Sequence, residues 1–567
     1  MAGSDAPAVR SAELWAALSL ASDLGSGQPL GHGLRTSVLA VRLAELVGAD
    51  ETTAADVHSL ALLHAIGCTA DAHEAAIRYG DDIAARADLA RVDPSSSREM
   101  LGFALRRAGV GTSPPVRIAR IVETLAAGRE RACEGFAARC EVAERLAERL
   151  GVDARVRRGL CFAFERWDGY GFPAGAAGEA IPPAARLLHV ARDADVFFAV
   201  GGAEAAARVL SARAGAAYEP QIAGRFAAAA GTLFAGLEEG TAWDAALAAE
   251  PGERRVLGAG ELDPACRAGG DLADLKSPYT LGHARAVAEL TEAAAARLGL
   301  DEAEVARARR AALLADLGRV GVSTAIWDKP RSLSEAEWER VRLHPYFTER
   351  VLRQSAGLAA IGGVAALHQE RLDGSGYHRG LTASEQPMPA RLLAAADAFS
   401  AMVEPRPHRR ALAPEAAARE LGGEVRDGRI DGEAARAVLA AAGERAPRSR
   451  GWPAGLGDRD VEVLRLLVRG RTSPRDRGGA RAPPERRRRA RSGDPLQDRR
   501  HEPGSAGAVR DPPRPPAPGC ANDGIAARSA ARVAFGVRVP GRAGRSRSQR
   551  WTRSRSETRS SSSTATR

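Results

Sequence analysis

Five residues in the second half of the sequence are of the types that bind transition metals. They are His283, Asp316, His344, His368 and Asp397, and the local patterns place each of them at the end of a predicted helix or inside one. Imidazole and carboxylate ligands together suit iron, manganese or zinc. A carboxylate that bridges two cations suits a two-metal site, in which a bridging hydroxide attacks phosphorus in line. The candidate chemistry is therefore metal-assisted hydrolysis of a phosphoester.

Taken one at a time, these residues also have ordinary explanations. A single histidine at a helix end is more often a capping or hydrogen-bonded residue, and an aspartate in a helix is usually solvated. Metal binding becomes the stronger interpretation when the five residues are considered together, because an internal repeat contains equivalent positions.

Two long segments of the sequence carry matching strings in the same order. The first has GHGLRTSVLAVRLAELVG, ALLHAIGC, ERWDGYGFPAG and PPAARLLHVA, and the second has GHARAVAELTEAAAARLG, ALLADLGR, ERLDGSGYHRG and MPARLLAAA. The separation of 32 residues between His32 and His64 recurs between His283 and Ala315. We infer a tandem duplication of one domain, with some 46 extra residues in the middle of the first copy.

The elements that must position these residues are predicted to be helices. Apolar residues recur three and four positions apart, as in Leu39, Leu43 and Leu46. Aromatic residues make up 4% of the chain, which is too few for a large sheet. Glycine and proline cluster in short loops between the periodic stretches. The predicted fold class is all-α, with two tandem helical bundles.

The second copy resembles the HD-GYP family, a branch of the HD metal-dependent phosphohydrolases that hydrolyse cyclic di-GMP. The resemblance covers residues 270–442 and rests on HA, ADLGR, KPRSLSEAEWERVRLHP, HQERLDGSGYH and ADAFSAM, in that order. It implies a bacterial signalling enzyme that uses one or two iron or manganese ions and acts on a cyclic dinucleotide or a related phosphoester. The resemblance implies as metal ligands His283, Asp316 (bridging and catalytic), His344, His368 and Asp397, as phosphate-contacting catalytic cations Arg319 and Lys329, and as substrate loop Asp373, Gly374, Gly376 and Tyr377.

The second copy departs from the family pattern at four positions. Ala315 replaces the histidine of the His-Asp doublet, and Gln369 replaces the middle histidine of His-His-Glu. Arg319 stands for the usual lysine, and His378 follows the tyrosine where the family has proline. A neutral amide oxygen is a poor substitute for imidazole on a transition metal. Two functions therefore stay open: an active phosphodiesterase, or a metal-free, inactive regulator that binds a ligand or partner.

The first copy departs further. His32 and His64 remain, but Arg192 occupies the position equivalent to Asp397, with Asp193 one residue later. These residues cannot build a binuclear centre without further ligands. The first copy is therefore predicted to be a degenerate sensing or packing domain.

The net charge of +10 for the whole chain suggests nucleic-acid binding, but the charge is unevenly distributed. Residues 471–567 contain 24 arginines and 8 acids, whereas residues 1–470 carry a net charge of −6. The basic balance therefore gives no support to nucleic-acid binding by the helical bundles.

The C-terminal part begins like a DNA-binding domain. Residues 453–470 resemble the start of a LuxR-type helix-turn-helix, although an ordinary amphipathic helix stays an alternative. The resemblance implies DNA binding and a former role in transcription, but the pattern stops at Gly470. The Arg- and Pro-rich remainder is predicted to be disordered, and we hypothesise an out-of-frame translation. The predicted segments are a flexible N-terminus (1–12), the first bundle (13–245), a linker (246–269), the second bundle (270–442), a linker (443–452), the helix-turn-helix remnant (453–470) and the basic tail (471–567).

Cellular context is predicted from what the sequence lacks. It shows no run of about 18 apolar residues that would span a membrane and no signal-peptide pattern. Its six cysteines show no CxxC spacing and are predicted to be reduced. A cytoplasmic location is expected, and the repeat organisation is compatible with a homodimer.

Overall fold

Helices account for the regular structure of residues 8–237 and 242–443, which a computed structural model describes. Within these residues the remaining pairing consists of isolated β-bridges, such as that between Arg10 and Val256. The all-α prediction is confirmed. The helices are α1 (Ser11–Ser26), α2 (His32–Val47), α3 (Glu51–Leu63), α4 (Ala72–Tyr79), α5 (Asp82–Leu89), α6 (Ser97–Arg107), α7 (Pro114–Arg149), α8 (Ala154–Leu160), α9 (Pro183–Ala212), α10 (Pro220–Phe234), α11 (Ala242–Ala248), α12 (Ala259–Asp274), α13 (His283–Arg297), α14 (Glu302–Leu314), α15 (Thr324–Trp327), α16 (Glu335–Arg342), α17 (His344–Leu352), α18 (Ala356–Ala365), α19 (Met388–Val403), α20 (Pro414–Arg426) and α21 (Gly432–Gly443), with short 3-10 helices at Gly178–Ala180, Leu317–Gly321 and Ala383–Glu385.

The two copies build the same core from equivalent helices. Helices α2, α3 and α9 pack against one another in the first copy, as α13, α14 and α19 do in the second. Equivalent carboxylates start α3 and α14: Asp50 and Asp301 each accept a hydrogen bond from the amide three residues later, at 2.7 and 2.8 Å. Such caps satisfy amides that have no partner within the helix. The duplication therefore extends to the local signals that position each helix.

A helix precedes each of these cores. In α1 the carboxylate of Asp23 accepts from the amide of Gly33 at 3.2 Å, and in α12 that of Asp274 accepts from Ala284 at 3.2 Å. Both bonds span ten residues and tie the preceding helix to the start of the next. Segment 246–269, which was predicted to be a linker, contains most of α12. We propose that the second copy begins at α12.

The N-terminal residues that the structure describes are packed rather than flexible. Val9 is 4% exposed, and its carbonyl accepts a hydrogen bond from the amide of Leu257 at 2.8 Å. Helix α1 begins at Ser11. The prediction of a flexible segment 1–12 is thus wrong from Val9 onward, because this stretch packs beside the start of the second copy.

The C-terminal predictions concern residues outside the described range. Apart from Gly443, which ends α21, the linker 443–452, the helix-turn-helix remnant 453–470 and the tail 471–567 all lie beyond it. Within the described part of the chain, no helix combines the length and apolar character that crossing a membrane requires.

The expectation of reduced cysteines is wrong for Cys140 and Cys161. Cys140 near the end of α7 and Cys161 just after α8 are joined by a disulfide, and their Cα atoms lie 4.9 Å apart. Cys68 and Cys266 are free and buried. Residue spacing could not reveal this pair, because the packing of α7 and α8 brings together residues separated by 21 positions.

The longer middle of the first copy forms a polar contact with the second copy. Asp82, at the start of α5, is fully buried, and its carboxylate lies 3.0 Å from Lys276 Nζ. It also accepts hydrogen bonds from the Ser323 hydroxyl at 2.9 Å and the Thr324 amide at 2.8 Å. Nearby, Asp328 accepts from His73 at 2.6 Å. The two bundles are therefore held at a fixed orientation by paired buried charges.

Replacing Asp82 by alanine is expected to destabilise the protein by about 3–5 kcal/mol, because it leaves Lys276 buried without its counter-charge. Urea unfolding monitored by circular dichroism measures the effect. Asp88→Ala is the matched control on the same helix, since its partner Arg107 is 30% exposed and such a pair contributes about 1 kcal/mol or less. Equal losses in the two variants would contradict the assignment.

Candidate metal centre

The five sequence-predicted ligands lie at the positions where the second-copy helices converge. His283 begins α13, and Asp397 lies within α19. Asp316 and His368 follow the ends of α14 and α18 by two and three residues. His344 begins α17, one residue beyond Leu343, the C-terminal neighbour of α16. All five side chains are buried.

The five side chains form two groups that share one carboxylate. Asp316, His344 and His368 offer ligand atoms within 4.8 Å of one another, and so do His283, Asp316 and Asp397. One oxygen of Asp316 lies 3.4 Å from both His344 Nε2 and His368 Nε2, and the other lies 3.6 Å from His283 Nε2. Asp316 thus has the position that a bridging ligand needs.

The neutral tautomers of His344 and His368 favour a bound cation in the group that these two residues form with Asp316. The Nδ1 of His344 donates to the carbonyl of Val341 at 2.6 Å, and that of His368 donates to Ala365 at 2.8 Å. In a neutral imidazole the other nitrogen is then an acceptor. Burial lowers the pKa of His344 and favours that neutral form. The two Nε2 atoms nevertheless face each other at 2.9 Å beside a carboxylate, an arrangement of acceptors that a bound metal ion would satisfy.

A carboxylate that the sequence analysis missed orients the remaining imidazole. Glu404 lies 2.9 Å from His283 Nδ1, while Asp397 lies 3.0 Å from Nε2. Burial lowers the pKa of His283, but the charge of Glu404 and the hydrogen bonds to both acids raise it to about 10. In the first copy, Asp195 contacts His32 Nδ1 at 2.7 Å. Because Asp195 and Glu404 follow their histidines at different spacings, counting along the repeat could not find them.

Gln369 contacts one of the candidate ligands. Its side-chain amide donates to Asp397 at 2.7 Å. Ala315 is 4% exposed, and its carbonyl accepts from the Thr348 hydroxyl at 2.8 Å. The two substituted positions therefore contribute a hydrogen bond and packing in place of two imidazoles.

The two predicted cations have different surroundings. Arg319 donates to Asp316 at 2.9 Å, and its guanidinium lies 4.0 Å from the centroid of the Trp327 ring. Although burial raises the pKa of Asp316, the charge of Arg319 and the neighbouring imidazoles hold it well below the usual range. Lys329 instead lies 2.5 Å from Glu337. The structure brings Arg319 to the cluster, whereas the phosphate-contacting role of Lys329 stays a prediction.

In the predicted substrate loop, Tyr377 contacts the cluster of candidate ligands. The Tyr377 ring lies edge-on to His344, with centroids 6.0 Å apart. Asp373 and Gly374 shape the loop: Asp373 accepts from the amide of Ser375 at 3.0 Å, and Gly374 has a φ of +78°. At Gly376, a Cβ atom would lie 2.5 Å from the Glu370 Cα.

Glu370, which the sequence analysis did not assign, anchors this loop. Its two carboxylate oxygens accept from the amides of Arg379 and Leu381 at 3.1 and 3.0 Å. In the first copy, one carboxylate oxygen of Glu165 accepts from the amides of both Ala174 and Gly175. The glutamate of the His-His-Glu string therefore positions the loop.

The residues proposed for the first copy do not form a comparable group. His32 and His64 rings lie 5.8 Å apart, but Asp193 is held by Arg192 and by the Tyr218 hydroxyl, both at 2.8 Å. Among the described residues, the groups of metal-binding type identified here both belong to the second copy.

The chain is similar in sequence and in structure to several known proteins. A family model described as an HD domain matches residues 82–222 and 268–434. The 3′3′-cGAMP-specific phosphodiesterase 3 of Vibrio cholerae is 31% identical over 415 residues, which cover 70% of this chain and 88% of that protein. A cyclic di-GMP phosphodiesterase of Thermotoga maritima is 36% identical over 152 residues, which cover 26% of this chain and 41% of that protein. A crystal structure of a cyclic GMP-AMP-specific phosphodiesterase of V. cholerae is similar at a TM-score of 0.54 and 27% identity, covering 77% of this chain and 99% of that one.

Proposed function

Since this chain belongs to the HD-domain family, we propose that its second copy is a metal-dependent phosphodiesterase of the HD-GYP type. Its substrate class is the cyclic dinucleotides, with cyclic di-GMP and 3′3′-cGAMP as the first candidates because these name the activities of the similar proteins. The observation that carries the proposal is the pair of ligand groups that share Asp316. Iron and manganese both suit this mixed set of imidazole and carboxylate ligands.

The chain's own residues prepare the site for a negatively charged substrate. Arg319 is held flat against Trp327 and beside Asp316, so its planar cation is fixed before a phosphate arrives. Tyr377 and the loop anchored by Glu370 cover the same side as His344. Bound metal would supply Lewis-acid activation of water and would offset charge on the phosphoryl oxygens.

Because Ala315 and Gln369 replace two histidines of the family pattern, the proposed metal centre has fewer nitrogen ligands than that pattern provides. His344 and His368 give the first group two imidazoles, whereas His283 is the single imidazole of the second. Because Gln369 donates its amide hydrogen to Asp397, it competes with a metal for that carboxylate. We propose that the first group binds metal more tightly than the second.

The second candidate is a regulator without catalysis. The hydrogen bond from Gln369 to Asp397 favours it, since this bond completes the pairing of the carboxylate without a metal. A regulator of this kind would bind a cyclic dinucleotide or a protein partner and signal through the rest of the chain. A former role in transcription through residues 453–470 and a cytoplasmic location remain parts of this proposal.

The two candidates are separated by one experiment on the full chain. The protein is purified anaerobically, its iron and manganese are measured, and hydrolysis of cyclic di-GMP and 3′3′-cGAMP is followed by chromatography. The enzyme reading expects at least one ion per chain and turnover that stops in EDTA and returns with manganese. Tight dinucleotide binding without turnover under every metal condition would favour the regulator.

We also propose that the chain forms a homodimer through α7. Ile118, Val122 and Leu125 are 46–63% exposed and recur at the spacing of a helix-packing seam. A second copy presents the same face, so the two helices would bury each other in a symmetric contact. Light scattering on the protein is expected to give twice the chain mass, and Val122→Glu to give the mass of one chain.

A further inference from the structure

The first copy encloses a cavity of about 200 Å³ at its vestigial centre. Its lining includes His32 and His64, the residues retained from the family pattern. Five arginines, among them Arg139 and Arg192, and a group of phenylalanines also line it. The cavity is therefore located where the second copy has its ligand cluster, but its chemistry is different.

Two of the arginines stand where the second copy has metal ligands. Arg192 is equivalent to Asp397 by spacing. Arg139 is equivalent to His344, because each of these two residues lies 29 positions before the Asp-Gly pair of its own copy. Packing supports the second equivalence: a Cβ at Gly67 would lie 2.1 Å from the Arg139 carbonyl, and one at Gly318 would lie 2.0 Å from that of His344. Two fixed cations at ligand positions repel a metal ion.

Hydrogen bonds fix the side chains of Arg139 and Arg192, and each guanidinium keeps N–H donors that have no partner among the described residues. Asp71 accepts two hydrogen bonds from Arg139, at 3.0 and 2.8 Å, through Nε and Nη2. Arg192 donates through Nε to Asp193 at 2.8 Å and through Nη1 to the Ala163 carbonyl at 2.5 Å. Within the described part of the chain, Nη1 of Arg139 and Nη2 of Arg192 donate no hydrogen bond. These preorganised N–H groups can donate hydrogen bonds to acceptor atoms of a ligand.

An acceptor and apolar walls complete the cavity. The Nδ1 of His64 donates to the Ala61 carbonyl at 2.8 Å, and burial lowers the pKa of His64 to about 3, so its Nε2 is an acceptor. Phe136 lies 4.8 Å from Phe164 and 5.0 Å from Phe172, centroid to centroid. Both arginines also lie over aromatic rings, Arg139 over Phe136 and Arg192 over Phe164.

We propose that the first copy is a metal-independent receptor for the guanine base of a guanine nucleotide. Guanine presents two neighbouring acceptors, O6 and N7, which an arginine fork reads, and its N–H groups can donate to His64. Adenine has an amino donor in place of O6 and would face the arginine donors with the wrong polarity. A volume of about 200 Å³ is below the range of about 300–1,000 Å³ of drug-sized sites, so it suits one base and not a whole cyclic dinucleotide.

Calorimetry on the full chain in EDTA tests this site, with GMP as probe and AMP as comparator. GMP is expected to bind at least about tenfold more tightly than AMP, because a bidentate base contact discriminates by about that factor or more. Arg192→Leu is expected to weaken GMP binding about tenfold or more. Arg208→Leu, at an exposed position of the same helix α9, is the matched control and should leave binding unchanged.

Two further results separate this site from the metal centre. His283→Ala is expected to leave GMP binding in EDTA unchanged, because it alters only the second copy. Hydrogen exchange on the unmutated protein should show GMP-induced protection around His64 and Phe164, and this measurement does not depend on any variant folding. Absence of GMP binding, equal affinity for AMP, loss of binding in His283→Ala, or protection confined to the second copy would each overturn the proposal.

Discussion

Asp316→Asn is expected to lower the turnover of cyclic di-GMP by about 1,000-fold or more and to reduce the metal content of the protein. Asp316 belongs to both ligand groups, so the change weakens both at once. Metal-based stabilisation of a phosphoryl transition state contributes several kcal/mol, and about 4 kcal/mol corresponds to a factor of 1,000. Steady-state kinetics with manganese present and elemental analysis of the purified variant measure the two effects.

Two controls make this result specific. Glu404→Gln changes a residue that orients His283 without joining either group, so a smaller loss of about 10–100-fold is expected. Asp427→Asn changes an exposed acid paired with Arg429 and should leave turnover unchanged. Retained turnover in Asp316→Asn, with the circular dichroism spectrum intact, would contradict a bridging role for this carboxylate.

Restoring both missing imidazoles, in Ala315→His/Gln369→His, is expected to raise the metal content towards two ions per chain and to increase turnover by about 10-fold or more. Each histidine replaces a residue that supplies no nitrogen ligand, and Gln369→His also removes the amide hydrogen bond to Asp397. The size of the gain follows the range of about 10–100-fold by which groups around a metal alter affinity or activity.

The single variants serve as internal controls for this prediction. Ala315 is buried, and a larger side chain there costs about 1–3 kcal/mol through overpacking, so thermal unfolding must be measured alongside activity. Gln369 is partly exposed and its replacement should cost less. A folded double variant that gains neither metal nor turnover would show that the helices no longer converge closely enough for two ions, and would favour the regulator.

The local patterns predicted the fold class and the repeated helices because those features depend on neighbouring residues. Apolar spacing identifies the buried face of a helix, and carboxylates such as Asp50 and Asp301 mark where α3 and α14 begin. The same reasoning did not extend the repeat to α12, which contains Gly and Pro264, although Asp23 and Asp274 each precede a Leu and lie nine residues before His32 and His283. The equivalence of α12 with α1 is also visible in the hydrogen bonds of Asp23 and Asp274.

The identity of the candidate ligands was also available from the sequence, while their supporting contacts were not. Glu404 follows His283 by 121 residues, and Glu337 follows Lys329 by 8, yet both make direct side-chain contacts. Such contacts depend on the rotation and translation of whole helices, which residue spacing does not encode.

The sequence alone predicted a helical, duplicated protein whose second copy carries His283, Asp316, His344, His368 and Asp397. These features were accessible because helix periodicity and repeated motifs can be recognised along the chain. The packing of the helices placed Asp316 in two groups and turned Gln369 towards Asp397. It also decided that arginines and phenylalanines of the first copy enclose a cavity, since a cavity exists only where separate helices pack around a space.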